Sequence, residues 1–434
     1  MIQVYISHTF VPEKTYLCKV LFSEILQLEY SIHSSAEYSN YHFVAPNGAT
    51  IIIADDFFSH YNEDKGYLKK SALPQKKFEI NYKGENIPFF YGTPSIYKES
   101  GNTCCVDADI CASAFFMLAR WEEYVIKERD EYGRFPETEA YTVSHNLTHI
   151  PVVHVYGELL RTLFAELGYS ISSNRTFTKT ITHDIDFTRK WHTGIDFLKN
   201  CVGDIVKRYS LPSLAKTLSY AFSKQDPYNT YSYLMDVSEQ YGYTSVFYML
   251  LSPKNNRFFQ SVQGQNIAKE IQSRGHHIGI HFNEYHIHEI DEMQNHCKNF
   301  SKLFGTVPTV SRQHFLQFSY PETLIALESC GILQDSSLYY RHTPGFRTGM
   351  CIEHSTFDPI KRCELQIKEL PLTFMDVSLL DFETVKDAEQ EIRNLMAITK
   401  KYAGNFVCLW HNSSFYGKEW KNSSHLYKKI LQFS

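Results

Sequence analysis

The spacing of apolar and polar positions changes character partway along the chain. Up to about residue 100, short β-branched and aromatic runs such as ATIIIADDFF (49–58) and IPFFYGTP (87–94) predict strands separated by loops. Between 107 and 130 the period becomes helical: Ile110, Ala114, Met117, Leu118 and Trp121 recur at helical spacing, with Asp107 or Asp109 placed to cap. The turn cluster DEYGRFP (130–136) follows, then an amphipathic helix over 152–168 that stops at Gly168. The polar stretch SISSNRTF (170–177) reads as a connector.

Beyond it, strands and helices alternate. TFTKTITHDID (176–186), TSVFYMLL (244–251), HHIGIHF (276–282), VPTVSRQHF (307–315), ILQDSSL (332–338), IKELPLTFMD (367–376) and NFVCLWH (405–411) read as strands. The helices between them, over 231–242, 265–275, 291–305, 322–331 and 387–404, each close on a glycine. Such alternation predicts parallel strands joined by crossover helices, in a barrel or an open sheet. The expected organisation is an α+β region over 1–172 and an α/β domain over 178–434.

Composition narrows the picture only a little. The chain has 434 residues, with 43% hydrophobic and 21% charged, as in ordinary globular proteins. Its 43 basic and 48 acidic residues leave a net charge of −5 without a basic block, which argues against a nucleic-acid partner. Apolar runs such as 112–119 are far shorter than the roughly 20 residues of a membrane span. The first residues lack a basic region, a long apolar core and a small-residue cleavage site, so a cytoplasmic location is expected. Ten cysteines without a CxxC pair read as reduced thiols. Aromatics at 15% suit a sugar-facing surface or, more simply, large cores.

In parallel α/β architectures, functional side chains collect at the carboxyl ends of strands. Reading those ends in order yields Asp184 and Asp186, His281, Arg312 and His314, Asp335, and His411. Asp184 and Asp186 share a strand face with Thr182, and two close carboxylates stay ionised only beside a cation or donor. One division is metal ligand and general base; the pattern taken alone also reads as a solvated acidic turn leading into TRKW. His281 as a neutral imidazole near carboxylates suits zinc or another divalent metal. Arg312 shares its face with His314 and has the planar fork that orients a carboxylate. His411 follows an apolar strand, where a buried histidine can act as a general acid.

This series resembles the motifs of the polysaccharide deacetylase superfamily, carbohydrate esterase family 4, also known as NodB-homology domains. THDID (182–186) is similar to the first motif, RGHHIGIH (274–281) to the second, SRQHF (311–315) to the third and CLWHN (408–412) to the last. The resemblance covers most of residues 178–420. It implies a distorted (β/α)7 barrel, with Asp184 as base, Asp186 and His281 as metal ligands, Arg312 positioning the base and His411 as acid. It also implies a divalent metal, zinc first, and hydrolysis of an N- or O-acetyl group on a sugar or polysaccharide precursor. The region before the barrel looks like a domain that accompanies one bacterial branch of these proteins.

Two departures stand out. The family's second metal histidine lies four residues after the first, and that position here is Tyr285. His286 and His288 follow it, but His314 at a strand end is the preferred third ligand. The proline that follows the third-motif arginine is also absent. The rival reading is a carbohydrate- or partner-binding protein on a degenerate barrel. A further option is hydrolysis of another C–N bond, as in the allantoinase-like branch.

Overall fold

A computed structural model describes residues 1–206, 211–223, 225–283 and 290–433. The chain forms two compact units that interleave along the sequence. The first comprises Met1–Thr178, Phe315–Thr373 and Leu395–Phe406; the second comprises Lys179–His314, Phe374–Asn394 and Val407–Ser434.

The first unit is built on a mixed six-stranded sheet. Its strands lie in the order Tyr30–Ser34, Ile2–Ile6, Tyr41–Val44, Thr50–Ile53, Thr103–Ala108 and Gly92–Ser100. Alternation decides which face is covered: Ile2, Val4 and Ile6 are fully buried while Gln3 and Tyr5 between them are half-buried. The helical period over 107–130 is realised as two helices, Ile110–Ala119 and Trp121–Val125. Asp109 supplies the cap by accepting the Ala112 N–H at 2.8 Å. The break falls at Arg120, which adopts a left-handed backbone with φ 43°.

A buried charge network explains what the break achieves. Arg120 donates to Glu123 Oε1 at 2.8 Å, to Glu122 Oε1 at 2.7 Å and to the Tyr340 hydroxyl at 2.7 Å. Arg347 donates to both Glu123 oxygens at 2.8 Å. Burial alone would raise the Glu123 carboxyl, but Arg347 and Arg120 hold it below its ordinary range.

The second unit carries the alternating segments. Its strands are β1 (Thr178–Ile185), β2 (Ser245–Leu250), β3 (His277–Phe282), β4 (Val310–Gln313), β5 (Phe374–Met375) and β6 (Asn405–Leu409), ordered β4-β3-β2-β1-β6-β5. The pairs β1–β2, β2–β3, β3–β4 and β5–β6 are parallel. The helix Val262–Ser273 between β2 and β3 shows why the crossovers form. Ser261 caps it by accepting the Gly264 N–H at 3.2 Å, and Ile267, Ala268 and Ile271 make its buried face. Gly275, with φ 81°, then turns the chain toward β3.

The structure corrects several expectations. The α/β character and the parallel strands are present, but the row has two ends, and among the described residues no pairing closes it into a barrel. The strand expected over 367–376 is two strands, Cys363–Glu369 and β5, because Pro371 between them has no N–H to continue a ladder. Cys363–Glu369 belongs to the first unit, in an antiparallel hairpin with His354–Asp358. Helices Gly194–Val206 and Leu211–Ser223 were not anticipated. All ten cysteines are free thiols. Among the described residues, no helix is long and apolar enough to cross a membrane.

Candidate metal centre

Strand alternation and parallel register bring the predicted residues of the second unit together. Along β1, Thr182 and Asp184 face one way, and Asp186 follows just past the strand on the same side. The register sets Asp184 beside Tyr248 on β2, Leu250 beside His281 on β3, and His281 beside Arg312 on β4. On the other flank, the Trp410 N–H donates to the Thr182 carbonyl at 2.9 Å, which carries the chain from β6 to His411 next to β1.

Asp186, His281 and His314 each offer one ligand atom, and those atoms lie within 4.8 Å of one another. His281 Nδ1 faces the Arg312 carbonyl oxygen at 2.8 Å. A carbonyl only accepts, so Nδ1 carries the proton, and the lone pair of the neutral ring sits on Nε2. Nε2 lies 3.2 Å from Asp186 Oδ1, a buried oxygen that accepts no hydrogen bond of good geometry. His314 Nε2 lies 3.9 Å from Asp186 Oδ2. Two acceptor atoms this close, buried, repel unless a proton or a cation stands between them. One carboxylate and two imidazoles form a donor set that fits a divalent metal such as zinc.

The charges of these groups answer one another. Burial works against ionised Asp186, yet His281, His411 and His314 hold its carboxyl well below the usual carboxylate range. Burial also opposes charge on His281, but Asp184 and Asp186 raise its pKa above the ordinary value.

Two further pairs flank the triad. Arg312, fully buried, donates through Nη1 to Asp184 Oδ1 at 2.9 Å and to Thr182 Oγ1 at 2.8 Å. Its guanidinium lies 4.5 Å over the Tyr248 ring. Gly279 makes room for that ring, since a Cβ there would stand 2.6 Å from Tyr248 Cδ1. His411 is held by Asp376, which accepts the His411 backbone N–H through Oδ2 at 2.7 Å and pairs its Oδ1 with Nδ1 at 2.7 Å. Nε2 of His411 is thereby directed toward Asp186 Oδ2, 3.6 Å away. Burial would lower the His411 pKa, but Asp376, then Asp186 and Asp184, push it up to about 10.

Of the strand-end residues read from the sequence, Asp184, Asp186, His281, Arg312, His314 and His411 gather in the second unit. Asp335 does not join them: it belongs to the first unit, where its strand runs parallel to Cys363–Glu369. His314 lies one residue past β4, in a 3-10 turn rather than on the strand itself. Tyr285, His286 and His288 lie outside the described residues. Sequence reasoning missed Asp376, although TFMD places a carboxylate at a strand end as plainly as the others.

Known proteins add little to this geometry. Residues 2–169 match a family of unknown function, DUF7033. No curated protein matches the chain. A crystal structure from Mycobacterium smegmatis, named for polysaccharide deacetylase, is similar at 13% identity and a TM-score of 0.38 over 61% of this chain and 85% of that one. A likeness so distant carries no argument.

Proposed function

We propose that the chain is a metal-dependent hydrolase that removes acetyl groups from a carbohydrate. The observation that carries this reading is the grouping of Asp186, His281 and His314 between an Arg-held carboxylate, Asp184, and an Asp-held imidazole, His411. A binding protein needs no such opposed pair of proton acceptor and proton donor.

Asp186, His281 and His314 would hold a divalent ion, zinc first. Such an ion polarises a carbonyl and makes bound water more acidic. The other steps fall to side chains. Asp184, fixed by Arg312, accepts a proton from the water whose oxygen bonds to the acetyl carbon. His411 donates a proton from Nε2 to the leaving nitrogen as the C–N bond breaks. Acetate and a free amine result; Asp184 and the new acid give up their protons, and His411 takes one up again. The raised pKa of His411, about 10, keeps it a proton donor at neutral pH. Asp376 fixes both its tautomer and its direction. Residues 1–172 are read as an accessory region without an assigned role.

The test is acetate release from a panel of acetylated amino sugars, with Asp184→Asn and His411→Ala alongside wild type. Each variant should keep its fold and lose about 10²–10⁴ in rate, the usual contribution of a general base or acid. A wild-type protein that binds acetylated sugars yet releases no acetate from any of them replaces this reading with the binding-protein one.

A further inference from the structure

Asp186 and His314 also line a cavity of about 540 Å³ in the second unit, a size that suits a small sugar. Its charge is unlike that of the chain. The whole protein carries −5, yet Arg189, Lys190, Lys199 and Lys254 all line this one cavity. The carboxylates among the lining residues are Asp186, which belongs to the metal group, and Asp196.

None of the four cations forms an ion pair among the described residues. The contacts of Arg189 and Lys190 hold them without neutralising them, and Lys199 and Lys254 are exposed. Arg189 donates to the Gln263 side-chain oxygen and lies 5.2 Å over the Phe258 ring. Lys190 donates to the Tyr228 hydroxyl at 3.2 Å. Asp226, which meets that loop, spends its oxygens on the backbone N–H groups of Lys190, Trp191 and Tyr228. Several cations of the same unit are by contrast matched by acids. Arg274 meets Asp236, Glu239 and Glu270, while Arg393 and Lys429 share Glu389. Four like charges around one concavity repel each other and focus a positive potential into it, an arrangement that an anionic ligand relieves. A neutral glycan would draw nothing from them.

We propose that the cavity beside the metal group takes an acetylated sugar that carries an anionic group, phosphate or carboxylate, held by Arg189, Lys190, Lys199 and Lys254. The identification of this ligand as the substrate rests on the hydrolase reading above; the anion site itself does not.

The test is calorimetric binding of three probes to the full chain: N-acetylglucosamine, its 1-phosphate, and an N-acetylated hexosaminuronic acid. At least one anionic sugar should bind about tenfold more tightly than the neutral one, the worth of one charge-assisted hydrogen bond. The preferred anion names the group. Lys199→Ala and Lys254→Ala, both at exposed positions, should each erode that preference and its salt dependence while leaving the neutral sugar unaffected. Asp186→Ala should retain the preference, because the lysines rather than a metal hold the anion. Equal affinity for all three probes, indifference to both lysine changes, or loss of the preference in Asp186→Ala overturns the proposal. The two readings fail separately. Tight anion binding with no acetate release from any probe rejects the hydrolase and leaves the anion site. Release from neutral sugars with no charge preference does the reverse.

Discussion

Replacing Asp376 with asparagine removes the charge that holds His411. Asp376 contributes two hydrogen bonds to that residue, one to the backbone N–H and one to Nδ1, both at 2.7 Å. It is also the largest of the influences that push the His411 pKa up to about 10 against burial. A hydrogen bond to a charged group is worth roughly 1.5–3 kcal/mol, which corresponds to about 1–2 pKa units. In the metal-free Asp376→Asn variant, His411 should therefore titrate near pH 8–9, about 1–2 units below the wild type. The imidazole C–H resonances, followed by NMR across pH 6–11, measure this directly. The effect on stability has a definite sign. A histidine whose folded pKa lies above its unfolded value of about 6.5 contributes fully below that pH, and the contribution fades as pH rises through about 10. The stability gap between wild type and Asp376→Asn should thus hold level up to about pH 8, where His411 of the variant begins to lose its proton, and close toward pH 10. Identical His411 titrations in the two proteins would refute the claim that Asp376 holds the imidazolium.

Other consequences are as direct. Glu123→Ala leaves Arg120 and Arg347 buried without their shared acid. Chemical denaturation should show a loss of about 3–5 kcal/mol, and a loss under about 1 would mean the network is dispensable. Asp109 is buried near Asp55, and both effects push its carboxyl up to about 7. A raised acid favours the folded state below its unfolded pKa of about 3.9, and that advantage wanes as pH climbs through about 7, by up to about 4 kcal/mol. The stability of wild type relative to Asp109→Asn should fall over that window; a constant difference contradicts the assignment. Gly279→Ala would put a Cβ 2.6 Å from Tyr248 Cδ1 and 2.9 Å from Val310 Cγ2. Such overpacking should cost about 1–3 kcal/mol and lower kcat more than KM, because Arg312 loses its platform; unchanged kcat would separate that platform from function.

Much of the site was legible because backbone geometry alone specifies it. A period of two along a strand puts Asp184 and Asp186 on one side, and parallel strands present their carboxyl ends together, so His281, Arg312 and His411 could be read as neighbours. The same rule misled at Asp335. Its strand ends in a carboxylate too, but the chain between 315 and 373 returns to the first unit, and no local pattern records that return. Asp376 shows the opposite case. The strand read over 367–376 ends on it, yet it was not counted among the strand-end residues, although the strand itself proves to be only Phe374–Met375. The break at Arg120 was illegible for another reason. The apolar period continues through it, and the buried partners of Arg120 join the adjacent Glu122 and Glu123 to Tyr340, which is distant in sequence. The open row of strands in the second unit likewise reflects pairings that alternation cannot specify.

Elemental analysis of protein purified without chelators tests the central claim most directly. Asp186, His281 and His314 form the group whose ligand atoms lie within 4.8 Å of one another, whereas Asp184 is engaged by Arg312. Wild type should hold roughly one divalent ion per chain. Asp186→Ala, His281→Ala and His314→Ala should each lose it, and Asp184→Asn should keep it. Equal metal in wild type and in Asp186→Ala would contradict the account, because the carboxylate at the centre of the group would then hold nothing.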